Sequence, residues 1–239
     1  MGLFDKKYCD VCGEKIGLLG NRKLEDGNLC KHCAAKLSPF FNDRRNSTVD
    51  EIKAQLAYRE ENKSEVAAFH PTKVIGSNMK LYFDEDNKKW FASDARSWKD
   101  DNPDVMTFSQ VTGCELDIEE NRDEIMREDA EGNEVSYVPP RYRFSYDFYI
   151  TITVNHPWFN EIRFQLNDDE IESRGSIAYR EMQSKANEIK ELFTSVREAE
   201  REAVAAANAP KVSVVCGACG ATTLPDANGC CEYCGTPVA

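Results

Sequence analysis

Four cysteines near the start of the chain constrain its folding more than any other feature. Cys9-Asp-Val-Cys12 and Cys30-Lys-His-Cys33 are two Cys-x-x-Cys pairs separated by 17 residues. The spacing suits a four-thiolate metal site. Two intervening residues let both sulfurs of a tight turn reach one ion, and the segment between the pairs can fold back as a short hairpin. A second set stands at the far end, where Cys216-Gly-Ala-Cys219 and Cys231-Glu-Tyr-Cys234 are separated by eleven residues. The pattern predicts two structural zinc ions, one held by Cys9, Cys12, Cys30 and Cys33 and one by Cys216, Cys219, Cys231 and Cys234. Cys230 is an adjacent spare, since only Cys231 makes a two-residue gap with Cys234; Cys114 reads as a small packed residue. His32, between two ligands, could replace one of them, but four cysteines already complete the set.

The metal reading depends on compartment. Met1-Gly-Leu-Phe-Asp-Lys-Lys has no apolar run of the secretory kind, and Lys6 stands where a myristoylation motif wants Ser or Thr. No stretch approaches the roughly 18 apolar residues that span a bilayer. The expectation is a cytoplasmic, reducing location without a transmembrane segment, where paired cysteines are metal ligands rather than disulfides. The net charge of −12 argues against unspecific binding of the whole chain to nucleic acid or anionic membrane. The charge is uneven, however. Residues 1–45 carry nine Lys/Arg against six Asp/Glu, and residues 210–239 one lysine against two acids. The centre, 46–209, therefore holds −14, while the first module is at +3.

Periodicity divides the chain into five parts: a zinc finger of treble-clef or ribbon type over 1–45, a linker helix over 46–65, a strand-rich domain over 66–198, a helical spacer over 199–211 and a zinc ribbon over 212–239. In the first part Gly13 closes the first cysteine turn, Asp26-Gly27 marks a hairpin tip, and Ile16, Leu18 and Leu19 are the small apolar core. Ala34–Leu37 reads as a short helix. Thr48 and Glu51 have capping-box spacing, with Val49, Ile52 and Leu56 at helical intervals and an end near Asn62. Lys80–Phe83 and Lys88–Ala92 read as a hairpin around the acidic tip Asp84–Asn87. Val105–Phe108, Gly113–Glu119 and Glu161–Leu166 are further strands, and Asn121–Asn133 is a loop or hairpin tip. Arg141–Val154 is the clearest strand, with Tyr142, Phe144, Tyr146, Phe148, Ile150, Ile152 and Val154 on one side; it is long enough to bend across two sheets. A helix follows from Ser176 to Ala207, whose stripe of Met182, Ala186, Ile189, Leu192, Phe193 and Val196 fades into a charged, Ala-rich continuation.

Residues Cys9-Asp-Val-Cys-Gly-Glu-Lys-Ile-Gly-Leu-Leu and Leu24-Glu-Asp-Gly-Asn-Leu-Cys-Lys-His-Cys33 resemble a bacterial finger known as domain of unknown function 4428. The element order over 66–198 is similar to that of bacterial pleckstrin-homology-type domains, which implies about seven strands in a bent, barrel-like sheet closed by one helix. The tail resembles the zinc ribbons that end many bacterial proteins. The fold class expected is thus α+β: a pleckstrin-homology-like bent sheet or barrel capped by a long C-terminal helix and flanked by two four-cysteine modules. None of these resemblances implies an activity. Phosphoinositide binders of the type carry several cations between their first two strands; Ile75–Lys80 offers only Lys80, so phosphoinositide binding is not expected.

The three histidines, His32, His70 and His156, form no recognisable catalytic constellation, and both expected metal sites are closed by four thiolates. Asp100-Asp101 and Asp168-Asp169 read as solvated turns. The expectation is a non-enzymatic adaptor or scaffold with a protein partner, its interface on the exposed ends of the long strand or the stripe-free part of the last helix. Two alternatives stand beside it. Lys6, Lys7, Arg22, Lys23, Arg44 and Arg45 make nucleic-acid binding by the first module a second reading. A thiol-based redox or metal sensor, with Cys230 as resolving thiol, is a third.

Overall fold

The first cysteine turn leads into a two-stranded hairpin, β1 (Asn21–Lys23) and β2 (Asn28–Cys30), closed at Asp26-Gly27 by the Leu24 N–H to Gly27 carbonyl bond of 2.9 Å. The computed structural model describes residues 6–208, 213–224, 226 and 229–238, with side chains described up to 195 and again from 213. The chain forms two units, 1–196 and 197–239. No helix among the described residues is long and apolar enough to cross a membrane.

In the first unit a short helix, α1 (Lys31–Ala34), starts directly at the second cysteine pair, earlier than the Ala34–Leu37 expected. The apolar core of this module also differs from the expectation. Ile16 is buried, but Leu18 and Leu19 are exposed, and Leu24, Leu29 and Leu37 fill the interior instead. They are joined there by Ile52 from the next helix, α2 (Val49–Ala68), which runs past the expected end near Asn62. Thr48 caps α2 reciprocally: its Oγ1 accepts from the Glu51 N–H at 3.3 Å, and the Glu51 carboxylate accepts from the Thr48 N–H at 2.7 Å. The Asp26 carboxylate accepts from the Val49 N–H at 2.8 Å, fastening the hairpin tip to the same helix start. Gly27 is required there, because a Cβ would lie 2.5 Å from Val49 Cγ2.

The buried seam of α2 is Ile52, Gln55, Arg59, Asn62 and Val66, apolar only at its ends. Arg59 donates to Asp104 at 2.6 Å, and both side chains are almost wholly enclosed. Asp104 also accepts from the Ser38 hydroxyl at 2.7 Å, and Arg59 Nε donates to the Lys36 carbonyl at 3.2 Å. Asn62 donates to the Pro103 carbonyl and accepts from the Val105 N–H. One polar cluster thus joins the finger's end, α2 and the strand-rich region. The aromatic pair Phe40–Phe159, 5.4 Å between centroids, adds an apolar tie.

Seven strands follow. β3 (Lys73–Gly76), β4 (Lys80–Asp84), β5 (Lys89–Ser93) and β6 (Met106–Thr107) form a four-stranded antiparallel sheet in sequence order, with the short helix α3 (Trp98–Asp101) between the last two. The acidic tip after β4 is not wholly solvated: Asp84 is buried and accepts from the His70 N–H and from Asn87. These hydrogen bonds hold its carboxyl below the ordinary range although burial pushes the other way.

β7 (Val111–Glu128), β8 (Glu134–Val154) and β9 (Glu161–Gln165) form a three-stranded antiparallel sheet. Asn121–Glu128 belongs to β7, not to a loop; only residues 129–133 turn. β8 does not bend across two sheets. It pairs with β7 and β9 in one sheet and overshoots as a two-stranded ribbon. Its apolar row is buried from Tyr146 to Val154, while Tyr142 is half-buried and Phe144 exposed on the ribbon. Ile125 pairs with Arg141 and Met126 with Ser136, so Tyr137-Val-Pro-Pro140 bulges out of the ladder, as prolines without an N–H require.

The last helix of the chain, α4 (Ile177–Asn208), packs across both sheets within the first unit. Tyr179 meets Tyr146 and Phe148 of one sheet, and Phe193 meets Phe83 and Trp90 of the other. Ala186 and Ile189 are buried between them as the helical spacing requires; the Val196 side chain lies outside the described residues. The expected spacer, 199–211, is helical to Asn208 and otherwise lies outside the described residues. The second unit ends in a hairpin of β10 (Val214–Val215) and β11 (Thr222–Thr223) and a second cysteine turn based on the Cys230–Pro237 bridge. The molecule is thus mixed α+β, with several sheets, a long helix toward its C-terminal end and a cysteine cluster near each end.

Candidate metal centres

Three of the four cysteine pairs have the same backbone. In each, the first cysteine's carbonyl accepts from the glycine that follows the second, at 2.8 Å: Gly13 to Cys9, Gly220 to Cys216 and Gly235 to Cys231. The first cysteine's N–H in turn donates one residue further on, to Glu14, Ala221 and Thr236 carbonyls, each at 2.9 Å. The three glycines have φ of +75°, +73° and +68°, a region that a side chain disfavours. The sequence Cys-x-x-Cys-Gly therefore folds locally into one repeated turn. The fourth pair is different. Cys30 is the N-cap of α1, and its sulfur accepts from the Cys33 N–H at 3.3 Å. The N-terminal module thus combines a turn with a helix start; the C-terminal module combines two turns.

These elements collect the eight sulfurs as the spacing predicted. Cys9, Cys12, Cys30 and Cys33 lie with all sulfurs within 4.8 Å of one another, and so do Cys216, Cys219, Cys231 and Cys234. The sulfur separations are 3.7 Å for Cys12–Cys30, 3.6 Å for Cys216–Cys234 and 3.8 Å for Cys219–Cys231. A disulfide would need about 2.05 Å. Four metal–sulfur bonds of about 2.3 Å arranged as a tetrahedron put their sulfurs about 3.8 Å apart. Both groups therefore fit one tetrahedral, thiophilic ion each.

Electrostatics point the same way. Burial pushes the Cys9 thiol up, but the N–H groups of Cys12, Cys30 and Val11 outweigh it and bring it to about 6. Burial and the sulfurs of Cys12, Cys30 and Cys9 push Cys33 strongly up. In the second group the Thr236 hydroxyl and N–H bring Cys234 to about 6. The Ala221 N–H favours the Cys219 thiolate, yet the neighbouring sulfurs of Cys234, Cys216 and Cys231 drive it to about 12. Each group thus has one sulfur that ionises readily beside one that keeps its proton, and a divalent cation is what would hold all four as thiolates.

His32 is exposed in α1 and is not needed to complete the first group. Cys230 pairs its backbone with Pro237 at the base of a turn, and its N–H donates to Asp226. Cys114 sits half-buried on β7, its thiol pushed up to about 11 by burial. Asp100, Asp101, Asp168 and Asp169 are exposed. His156 is buried between Tyr58, whose hydroxyl lies 3.0 Å from its Nε2, and the stacked ring of Phe159. The Arg59–Asp104 pair left no sequence signal, because a lone Arg and a lone Asp 45 residues apart look like surface charges.

Residues 7–55 match the family described as Domain of unknown function (DUF4428). That region spans the first cysteine group, both finger strands, α1 and the start of α2, including the capping box and Ile52. The match therefore takes in the helix start that completes the finger's core, beyond residue 45. Comparison with curated proteins and with solved structures returned no match.

Proposed function

We propose that this chain is a non-enzymatic zinc-binding adaptor of a reducing, cytoplasmic compartment. The observation that carries the reading is the pair of four-sulfur groups with the edge lengths of a metal tetrahedron. Zinc suits this donor set, having no redox chemistry of its own and a settled preference for tetrahedral thiolates. Four protein ligands leave no coordination position for water or substrate, which favours a structural ion over a catalytic one. The histidines favour the same view: His32 is exposed, His70 gives its N–H to Asp84, and His156 is packed in an aromatic niche.

The succession of a four-stranded sheet, a three-stranded sheet and a closing helix supports assigning 66–198 to the pleckstrin-homology type. Lys80 is the one cation of the β3–β4 turn, and nearby Lys73 is paired with Glu188 at 2.7 Å, which argues against a phosphoinositide site there. The partner surface is assigned to the β7–β8 ribbon, which leaves Ile125, Met126, Val138 and Phe144 in solvent. Metal analysis coupled to affinity capture tests the reading. Two zinc ions per chain are expected, together with a protein captured by the native chain and lost with Ile125→Thr/Val138→Thr/Phe144→Thr. A chain without zinc, or one whose capture ignores those three positions, would overturn it. Nucleic-acid binding is the runner-up, favoured by the exposed cations of the first module; retention of DNA or RNA in a low-salt gel shift would promote it.

A further inference from the structure

The N-terminal module places two leucines where water, not protein, surrounds them. The turn Gly17-Leu-Leu-Gly20 is closed by the Gly20 N–H to Gly17 carbonyl bond of 3.0 Å. Leu18 is 91% and Leu19 89% exposed, whereas Ile16, Leu24, Leu29 and Leu37 of the same module are at 7% or less. A single exposed leucine is ordinary; two adjacent ones on one hydrogen-bonded turn form a contiguous apolar feature. Beside the turn, a cleft of about 420 Å³ runs along Glu14–Gly20 and Cys30–His32, so the leucines stand as a ridge rather than folding onto the finger.

Cations surround this ridge. The Ile16 N–H donates to the Lys7 carbonyl at 2.8 Å, which lays the Lys6-Lys7 segment alongside the turn. Arg22 donates to the Leu19 carbonyl at 3.4 Å, holding a guanidinium at the tip itself. Lys6, Lys7, Lys15, Arg22, Lys23 and Lys31 are all exposed, and none has a carboxylate of another described residue within 4.0 Å. Two of the module's acids are occupied elsewhere: Asp10 accepts from the Asn28 N–H and Asp26 from the Val49 N–H. Tyr8, 53% exposed, pairs across to Lys15 and adds a ring suited to the depth of lipid headgroups.

A nucleic acid would use the cations but has no place for two aliphatic side chains. An anionic bilayer surface takes both, with the leucines in the acyl boundary and the cations among the phosphates. We propose that the N-terminal module docks on an anionic lipid surface by inserting Leu18 and Leu19, with Lys6, Lys7, Lys15 and Arg22 contacting headgroups. This surface is separate from the β7–β8 ribbon, so the two assignments stand or fall independently.

Co-sedimentation of the metal-loaded full chain with vesicles of phosphatidylcholine alone, or mixed with phosphatidylserine, tests it. Binding is expected to the mixed vesicles only, and it should weaken as salt rises. Leu18→Ser/Leu19→Ser should lower the partition coefficient about ten-fold or more. Each of Lys6→Gln, Lys7→Gln and Lys15→Gln should lower it by about five-fold. These side chains are exposed, so metal content and the main unfolding temperature should not change in the variants. Failure to bind either vesicle, or undiminished binding by the leucine variant, would overturn the proposal. So would leucine-dependent self-association of the chain without vesicle binding, which would assign the ridge to a second copy.

Discussion

The two cysteine modules share a turn but not a foundation. The N-terminal one buries Ile16, Leu24, Leu29 and Leu37 together with Ile52 of α2. Its end is held by Arg59, Asp104 and Ser38. Among the described residues of the C-terminal one, only Cys216, Thr223 and Cys231 are buried, while Val215, Leu224 and Tyr233 are exposed. The same ligand geometry therefore does different work. In the tail a bound metal would supply nearly the whole of the folding free energy, as in small metal-dependent modules. In the finger it would complete a core that the neighbouring helix already shares.

The comparison breaks most readily at the ligands. Cys33→Ser and Cys231→Ser should each reduce metal content from two ions to one. Cys33→Ser should also destabilise the main unfolding transition by about 3 kcal/mol or more, because Leu24, Leu29 and Ile52 lose their cover. Cys231→Ser should leave that transition in place. Metal analysis and calorimetry on both variants decide; identical calorimetric traces would mean that the modules are equivalent after all.

The next effect concerns the tie between finger and strand-rich region. Asp104→Ala leaves Arg59 enclosed without a counter-charge and should cost about 3–5 kcal/mol. Arg59→Leu/Asp104→Leu should recover part of that loss, since an apolar pair removes both desolvation penalties. Chemical denaturation measures both. A loss under about 1 kcal/mol for Asp104→Ala would show that the finger is not held through this pair.

The smallest effect is the pH dependence that His156 gives to the first unit. Burial holds His156 below its ordinary pKa, with Arg59 acting in the same direction and Asp104 against it. The unfolded chain then binds a proton that the native chain refuses. Stability should therefore fall as pH drops from the unfolded value near 6.5 toward the depressed native one, by at most about 1.4 kcal/mol per pH unit. His156→Gln should flatten this slope between pH 7.5 and 6. The second unit contains no histidine, so His156→Gln should leave the pH dependence of its melting, set by protons competing with metal for its thiolates, unchanged.

Local chemistry was the part legible in the residues. Cys-x-x-Cys-Gly closes its turn with its own backbone, so the sulfur groups followed from spacing, as did the Thr48–Glu51 cap and the Ile189–Phe193 stripe. Where burial depends on distant partners, periodicity misled. Leu18 and Leu19 look like core because they are apolar, yet Ile52 takes the interior that they would have filled. Asn121–Glu128 looks like a loop because it is charged, yet β8 supplies its hydrogen-bonding edge and neither face needs to be dry.

Ligand spacing and side-chain alternation act over a few residues, so the residue pattern alone places two four-cysteine groups around an α+β region. That α2 is no free linker follows from the packing of distant segments against it. Its polar seam of Gln55, Arg59 and Asn62 is buried because the finger's end and the Asn102–Val105 segment close over it. A charged side chain can be enclosed when its counter-charge arrives from elsewhere in the chain, and no local pattern records that arrival.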